Sequence, residues 1–242
     1  MSIKVFFSAF NIDDTQRKWG VRALFLLLSG LLVLALLFPI GNSDLTQAML
    51  IYEKLVSGEQ MVISESDYSV IINTFIYTLS LEFYSYILAV ISVITAYCFI
   101  SSRHPDRTPE HKKKARLNTF IACLFLAVIY TLLYSVAGSF YIIYAVVCVF
   151  LGMIGCCFIS GDRSFGGSFK HGIRFVRENA PTCIVNFILL FMIFYFADFI
   201  VDILEQGNAY MTIVAALRAP LEVYKALVFG RMIGTIYVFG KK

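Results

Sequence analysis

The chain has 242 residues, 59% of them hydrophobic and 15% charged, with a formal net charge of +4 and a mean hydropathy of +0.78. Such hydropathy excludes an ordinary soluble domain, and charge this sparse, gathered into a few segments, reports membrane orientation rather than nucleic-acid binding. Composition therefore predicts one all-α, polytopic integral membrane domain over residues 1–242, with six transmembrane helices and short interfacial helices.

Residues 1–18 open on Ile3, Phe6, Phe7 and Phe10, the i, i+3, i+4, i+7 pattern of one helical face, followed by an Asp13-Asp14-Thr15 cluster suited to cap a second helix. They predict a short cytoplasmic helix lying in the membrane interface; the alternative is a frayed hydrophobic N-terminus. Val21 to Ile40 carries one charge, Arg22, and supplies the roughly 20 apolar residues that a hydrocarbon core about 30 Å thick requires. It is too long for a signal-peptide core and lacks a cleavage signal, so it is expected to remain in the mature protein. Gly41 to Asp67 follows as a polar stretch with Asp44, Glu53, Glu59, Glu65 and Asp67 against one Lys54.

The spans are expected at about 21–40, 76–100, 117–136, 140–159, 181–204 and 212–239. Glu82 lies about 20 residues from Ser101, which places it at the outer boundary. The loop from Ser101 to Arg116 holds Arg103, Arg107, Lys112, Lys113, Lys114 and Arg116 with His104 and His111, and reads as solvated and orientation-setting. Its histidine spacing matches no zinc motif, and no histidine lies within a span to ligate haem. A tight turn at Gly138-Ser139 joins spans three and four. In Gly161 to Asn179, Phe169, Ile173 and Val176 run beside Lys170, Arg174 and Arg177, adjacent apolar and basic stripes of one helix. That helix is expected to rest on anionic headgroups or to dock a soluble partner.

Lysine and arginine concentrate in the N-terminal segment, the second and fourth loops and the terminal Lys241-Lys242, whereas the other loops hold only Lys54. By the positive-inside rule both termini are cytoplasmic, in a plasma (inner) membrane. The six cysteines fall in or beside apolar segments and read as small buried hydrophobes rather than disulfide partners or metal ligands.

Ionisable residues within spans are costly, so those of the last two spans are the candidate site. Asp198, Asp202 and Glu205 share a helical face, as do Arg218, Glu222 and Lys225. A turn centred near Asn208 puts Asp198 and Arg218 at equal depth and predicts an ion pair between them, either structural glue or part of a water-filled vestibule. Tyr210 to Phe239 is about 45 Å of helix, too long for one straight span. A break at Pro220 would make Arg231 the deep charge. Gly230 and Gly234 form a small-xxx-small pair able to bring helices close. No catalytic motif such as His-Glu-x-x-His or Gly-x-Ser-x-Gly is present, and neither catalysis, a metal nor a cofactor is expected.

The segment Gly167-Ser-Phe-Lys-His-Gly-Ile-Arg-Phe-Val-Arg-Glu-Asn179, leading through Pro181 into a span, resembles the cytoplasmic helix of uncharacterised bacterial six-span families, including the membrane region found with some glycerophosphodiester phosphodiesterases. The layout, with an interfacial helix, six spans, inward termini and a broken element before the last span, is similar to that of small permeases of export-type ABC transporters. These resemblances imply a transport-related permease or accessory subunit, with a soluble ATPase or another membrane subunit as partner. A membrane scaffold or immunity-type protein acting by binding a partner is the alternative, and a lipid-modifying enzyme a distant third.

Overall fold

The computed structural model describes residues 3–12, 18–57, 64–104, 107–137, 141–161, 164–206 and 211–240. Among them the chain forms eight helices and no strand: α1 (Ile3–Phe10), α2 (Lys18–Leu37), α3 (Leu45–Val56), α4 (Glu65–Ser102), α5 (Pro109–Ala137), α6 (Tyr141–Ile159), α7 (Phe165–Gln206) and α8 (Met211–Gly240). Three segments are long and apolar enough to cross a membrane: Trp19–Leu37, Glu65–Ser102 and Phe165–Gln206. The Asp13-Asp14-Thr15 cap, the Gly138-Ser139 turn, Asn208 and Lys241-Lys242 lie outside the described residues.

The lengths differ from expectation in an informative way. The 19 residues of Trp19–Leu37 make about 28 Å of helix, close to one hydrocarbon thickness. α4, with 38 residues, and α7, with 42, run to about 57 and 63 Å. The amphipathic segment before Pro181 is therefore not a separate element: it continues into the following span as α7, with Pro181 inside the helix. Nor does Pro220 break α8, which is continuous from Met211 to Gly240. Proline removes one backbone donor and frees the carbonyl four residues earlier, a loss that a helix sheathed by neighbours tolerates. α8 is sheathed in this way, packed against α1, α2, α4, α6 and α7, with Ala219, Val223 and Val228 fully buried.

α4 and α8 approach each other closely along a seam at two glycines of α8. A β-carbon placed on Gly230 would lie 2.0 Å from the Ser92 carbonyl oxygen, and one on Gly234 would lie 3.2 Å from that of Ala96. Gly230 and Gly234 thus face Ser92 and Ala96, a small-xxx-small pair on each helix, which is the close packing the glycine spacing predicts. Behind this seam, Met153 and Cys156 of α6 and Phe187 and Leu190 of α7 complete a buried apolar core. Among the described residues Cys98, Cys123, Cys156, Cys157 and Cys183 form no disulfide.

The stretch from Gly41 to Asp67, expected to be polar loop, contains α3. Asp44 caps it by accepting from the Gln47 N–H, and its own N–H donates to Thr74 Oγ1 of α4 at 3.0 Å. A capping box follows at Ser64 and Asp67, where α4 begins.

Candidate functional site

α7 and α8 run antiparallel, and their facing surfaces carry the charged residues. Phe187, Phe191, Phe194, Asp198 and Glu205 recur at i, i+4, i+7, i+11 and i+18, so one face of α7 is aromatic along its first half and acidic along its second. Opposite it, Arg218, Glu222 and Lys225 follow one face of α8.

Two tiers of ion pairs join these faces. In the tier nearer the connection, Arg218 Nη2 donates to Asp202 Oδ1 at 2.6 Å and to Glu205 Oε2 at 2.8 Å. One turn further in, Lys225 Nζ donates to Asp198 Oδ1 and, at 2.7 Å, to Glu222 Oε1. The expected Asp198–Arg218 pair is therefore not formed. Residues 202 and 218 are equidistant from position 210, not 208, so the two helices pair two positions away from the expected register. That offset hands Asp198 to Lys225.

The tiers hold four carboxylates against two cations and are only partly covered: the side chains of Arg218 and Lys225 keep 34% and 21% of their exposure, and those of the four acids 38% to 55%. No family model, no curated protein and no solved structure matches this chain. What the ladder does must accordingly be read from its own geometry and depth.

Depth is set by α2. The Tyr84 hydroxyl of α4 donates to the carbonyl of Leu28, the midpoint of Trp19–Leu37, and Tyr77 donates to that of Ala35. Val223 and Leu227 of α8, on either side of Lys225, pack in one apolar cluster with Leu28 and Tyr84. The inner tier is thus level with the interior of α2 rather than with either end. Beneath it, toward the Gly240 end of α8, the ladder stops on aromatic rings: Phe194 lies against Tyr224 and Phe10, and Phe187 and Phe191 against Phe229.

Another charge, more fully buried, sits nearer the Gly240 end of the same helix. Arg231 is fully buried without any break at Pro220. Its Nε–H donates to the Ser8 carbonyl at 2.8 Å, and its guanidinium lies 4.7 Å from the centre of the Phe99 ring. The Tyr224 hydroxyl, two turns away, donates to the Phe10 carbonyl at 2.9 Å. Both acceptors belong to the last turn of α1, where the helix dipole favours a cation. α1, expected as a short helix lying in the interface, is tied to α8 by these bonds, with Ala9 and Phe6 buried and Phe7 left outside.

At the opposite end of α7, Lys170, Arg174 and Arg177 are exposed, Arg174 pairing with Glu178 at 2.7 Å. They do not meet the ladder. The apolar stripe expected beside them is divided: Phe169 and Ile173 are exposed, but Val176 turns into the core.

The basic loop after α4 is less solvated than its composition suggests. Arg107 Nη1 donates to the Ser160 carbonyl at 2.7 Å, the His111 ring lies 2.9 Å from the same oxygen, and Asn118 donates to the Phe158 carbonyl. These side chains satisfy the carbonyls at the C-terminus of α6, where Gly161 adopts φ +73°, the left-handed conformation that ends many helices. Among the described residues no cluster of three or more His, Cys, Asp or Glu side chains is placed to hold a metal.

Proposed function

We propose that the chain is a six-span protein of the inner membrane with cytoplasmic termini, a transport-related permease or accessory subunit without catalytic chemistry of its own, and that Asp198, Asp202, Arg218, Glu222 and Lys225 line a water-filled vestibule between α7 and α8. The observation that carries this reading is the ladder's surplus of two carboxylates, one in each tier, with the inner tier level with the interior of α2. A dry site does not keep two uncompensated carboxylates ionised, because desolvation is repaid only by matched partners. Water, and a cationic or zwitterionic solute, supplies the balance. Aromatic rings beneath the ladder give such a vestibule a floor.

Six spans and inward termini rest on the charge asymmetry of the loops. Lys112→Cys in a background without other cysteines is expected to resist an impermeant thiol reagent in intact cells, and its labelling there would overturn the orientation. For the vestibule, Asp198→Cys is expected to react with a small hydrophilic thiol reagent far faster than Val201→Cys, a buried neighbour on the same helix. Equal, slow rates at both positions would make the ladder dry structural glue.

The exposed face of Phe165, Phe169, Ile173, Lys170, Arg174 and Arg177 favours a second reading, a scaffold that binds a partner. Purification of the native complex in mild detergent separates the two. A co-purifying ATPase or membrane subunit supports the transport reading, and a non-transport partner lost on reversing the three basic charges supports the scaffold. The continuous α8 removes one feature, the broken last element, from the likeness to small permeases.

A further inference from the structure

We infer that α3 is a membrane-surface helix, seated in the acyl–headgroup boundary at the end of the bundle opposite the Gly240 end, with Leu45, Met49, Tyr52 and Val56 in lipid. The helix has three faces rather than two. At about 100° per residue, Ala48, Ile51 and Leu55 point one way, and this is the side that packs on α4, with Ile51 buried and Ala48 partly covered. Leu45, Met49, Tyr52 and Val56 follow i, i+4, i+7 and i+11 on a second face, and each is 60% to 67% exposed. Thr46, Glu53, Lys54 and Ser57 occupy the third, which is polar apart from Leu50, 52% exposed among them. A helix with one side against protein, one apolar and open, and one polar belongs where protein, lipid and water meet.

Its position agrees with that assignment. α2 spans about one hydrocarbon thickness and ends at Leu37, and α3 begins eight residues later. The intervening chain is held to α4 at the level where α2 ends: Asn73 donates to Asn42 at 2.7 Å and Thr74 accepts from Asp44 at 3.0 Å. α3 therefore starts at the height where the apolar part of α2 stops. The lipid-facing side chains of α2 and α4 nearby, Leu34, Phe38, Ile72 and Phe75, are exposed too, so the stripe on α3 extends an apolar surface already present. Charge does not select the lipid, since α3 carries only Glu53 and Lys54, and the chemistry recognised is the acyl boundary of a zwitterionic bilayer.

The chain has a single tryptophan, Trp19, which makes the test direct. In a Trp19→Phe background, Tyr52→Trp and Lys54→Trp are reconstituted separately into phosphatidylcholine vesicles with plain or brominated acyl chains. Brominated lipid is expected to reduce the emission of the Tyr52→Trp protein about twofold while acrylamide leaves it largely untouched, and the Lys54→Trp protein is expected to show the reverse. Met49→Trp should repeat the Tyr52→Trp result and guards against a local disturbance at one position. Quenching of both stripe positions by acrylamide and not by bromolipid would place the face in water. Protection from both quenchers would mean that a second copy or another protein covers it. Either outcome overturns the assignment, and neither bears on the vestibule, which is probed by thiol chemistry at Asp198.

Discussion

The two halves of α8 handle charge in opposite ways. From Arg218 to Lys225 the helix keeps its cations partly open and matches them with side-chain carboxylates, two tiers deep. From Val228 to Tyr237 it is closed on nearly every side, and Arg231 relies on a backbone carbonyl and a ring for the contacts described above. On the vestibule reading, water relieves any mismatch in the first half and the pairs are individually replaceable. In the second, geometry has no such relief, so a change of one atom is felt by the whole seam.

The sharpest way to break this contrast is at Gly230. An alanine there needs its β-carbon 2.0 Å from a backbone oxygen of α4, a distance no side-chain rotation corrects, so the helices must separate. Gly230→Ala is expected to lose about 3 kcal/mol, the upper range for overpacking, read as the unfolding midpoint in detergent. Gly234→Ala, at 3.2 Å, is expected to be close to neutral, since a shift of a few tenths of an ångström is offset by the roughly 1 kcal/mol gain in helix propensity. Equal effects at the two glycines would show that the seam is not the rigid half.

Arg231→Met tests the same half by removing a donor. It leaves the half-buried Ser8 carbonyl without this bond and is expected to cost about 2 kcal/mol, with α1 loosened. Proteolytic sensitivity of the N-terminal ten residues, compared before and after the change, reports the loosening; unchanged sensitivity would sever the link between Arg231 and α1.

The open half predicts a graded response. Lys225→Gln strands two carboxylates, Asp198 and Glu222, whereas Asp198→Asn leaves Lys225 with Glu222 still bonded. The lysine change is therefore expected to be the worse of the two, by about 1 kcal/mol, and Asp198→Asn added to it should recover part of the loss. A double mutant no better than Lys225→Gln would mean that the two side chains act independently.

Much of the helical architecture was legible in the chain because apolar runs about a bilayer long have few alternatives. The close approach at Gly230 and Gly234 was legible too, from spacing alone. The register of α7 against α8 was not, since counting from an expected turn centre leaves it uncertain by a position or two, and the observed shift of two positions changes every partner. The anchoring of α1 and the capping of α6 were equally hidden: Arg231 reaches Ser8 across 223 positions, and Arg107 reaches Ser160 across 53. No local pattern encodes such contacts. α3 was obscured differently, by acidic neighbours that made the stretch look like loop, although Leu45, Met49, Tyr52 and Val56 already carried its helical period.

Within the ladder the smallest effect is expected at Arg218, and it is the one that most directly separates an open ladder from a dry one. Its two acceptors, Asp202 and Glu205, are each more than half exposed, so loss of the guanidinium leaves carboxylates that water can solvate. Arg218→Gln should therefore cost no more than about 0.5 kcal/mol, the range of surface ion pairs, and the difference should shrink further as salt screens the carboxylates from one another. Dry packing at that tier predicts the opposite: a loss several times larger and insensitive to salt, because counterions have no access to a site from which water is excluded. Unfolding midpoints of the native and Arg218→Gln proteins at low and high salt decide between them, and a large salt-independent loss would close the vestibule from its outer end inward.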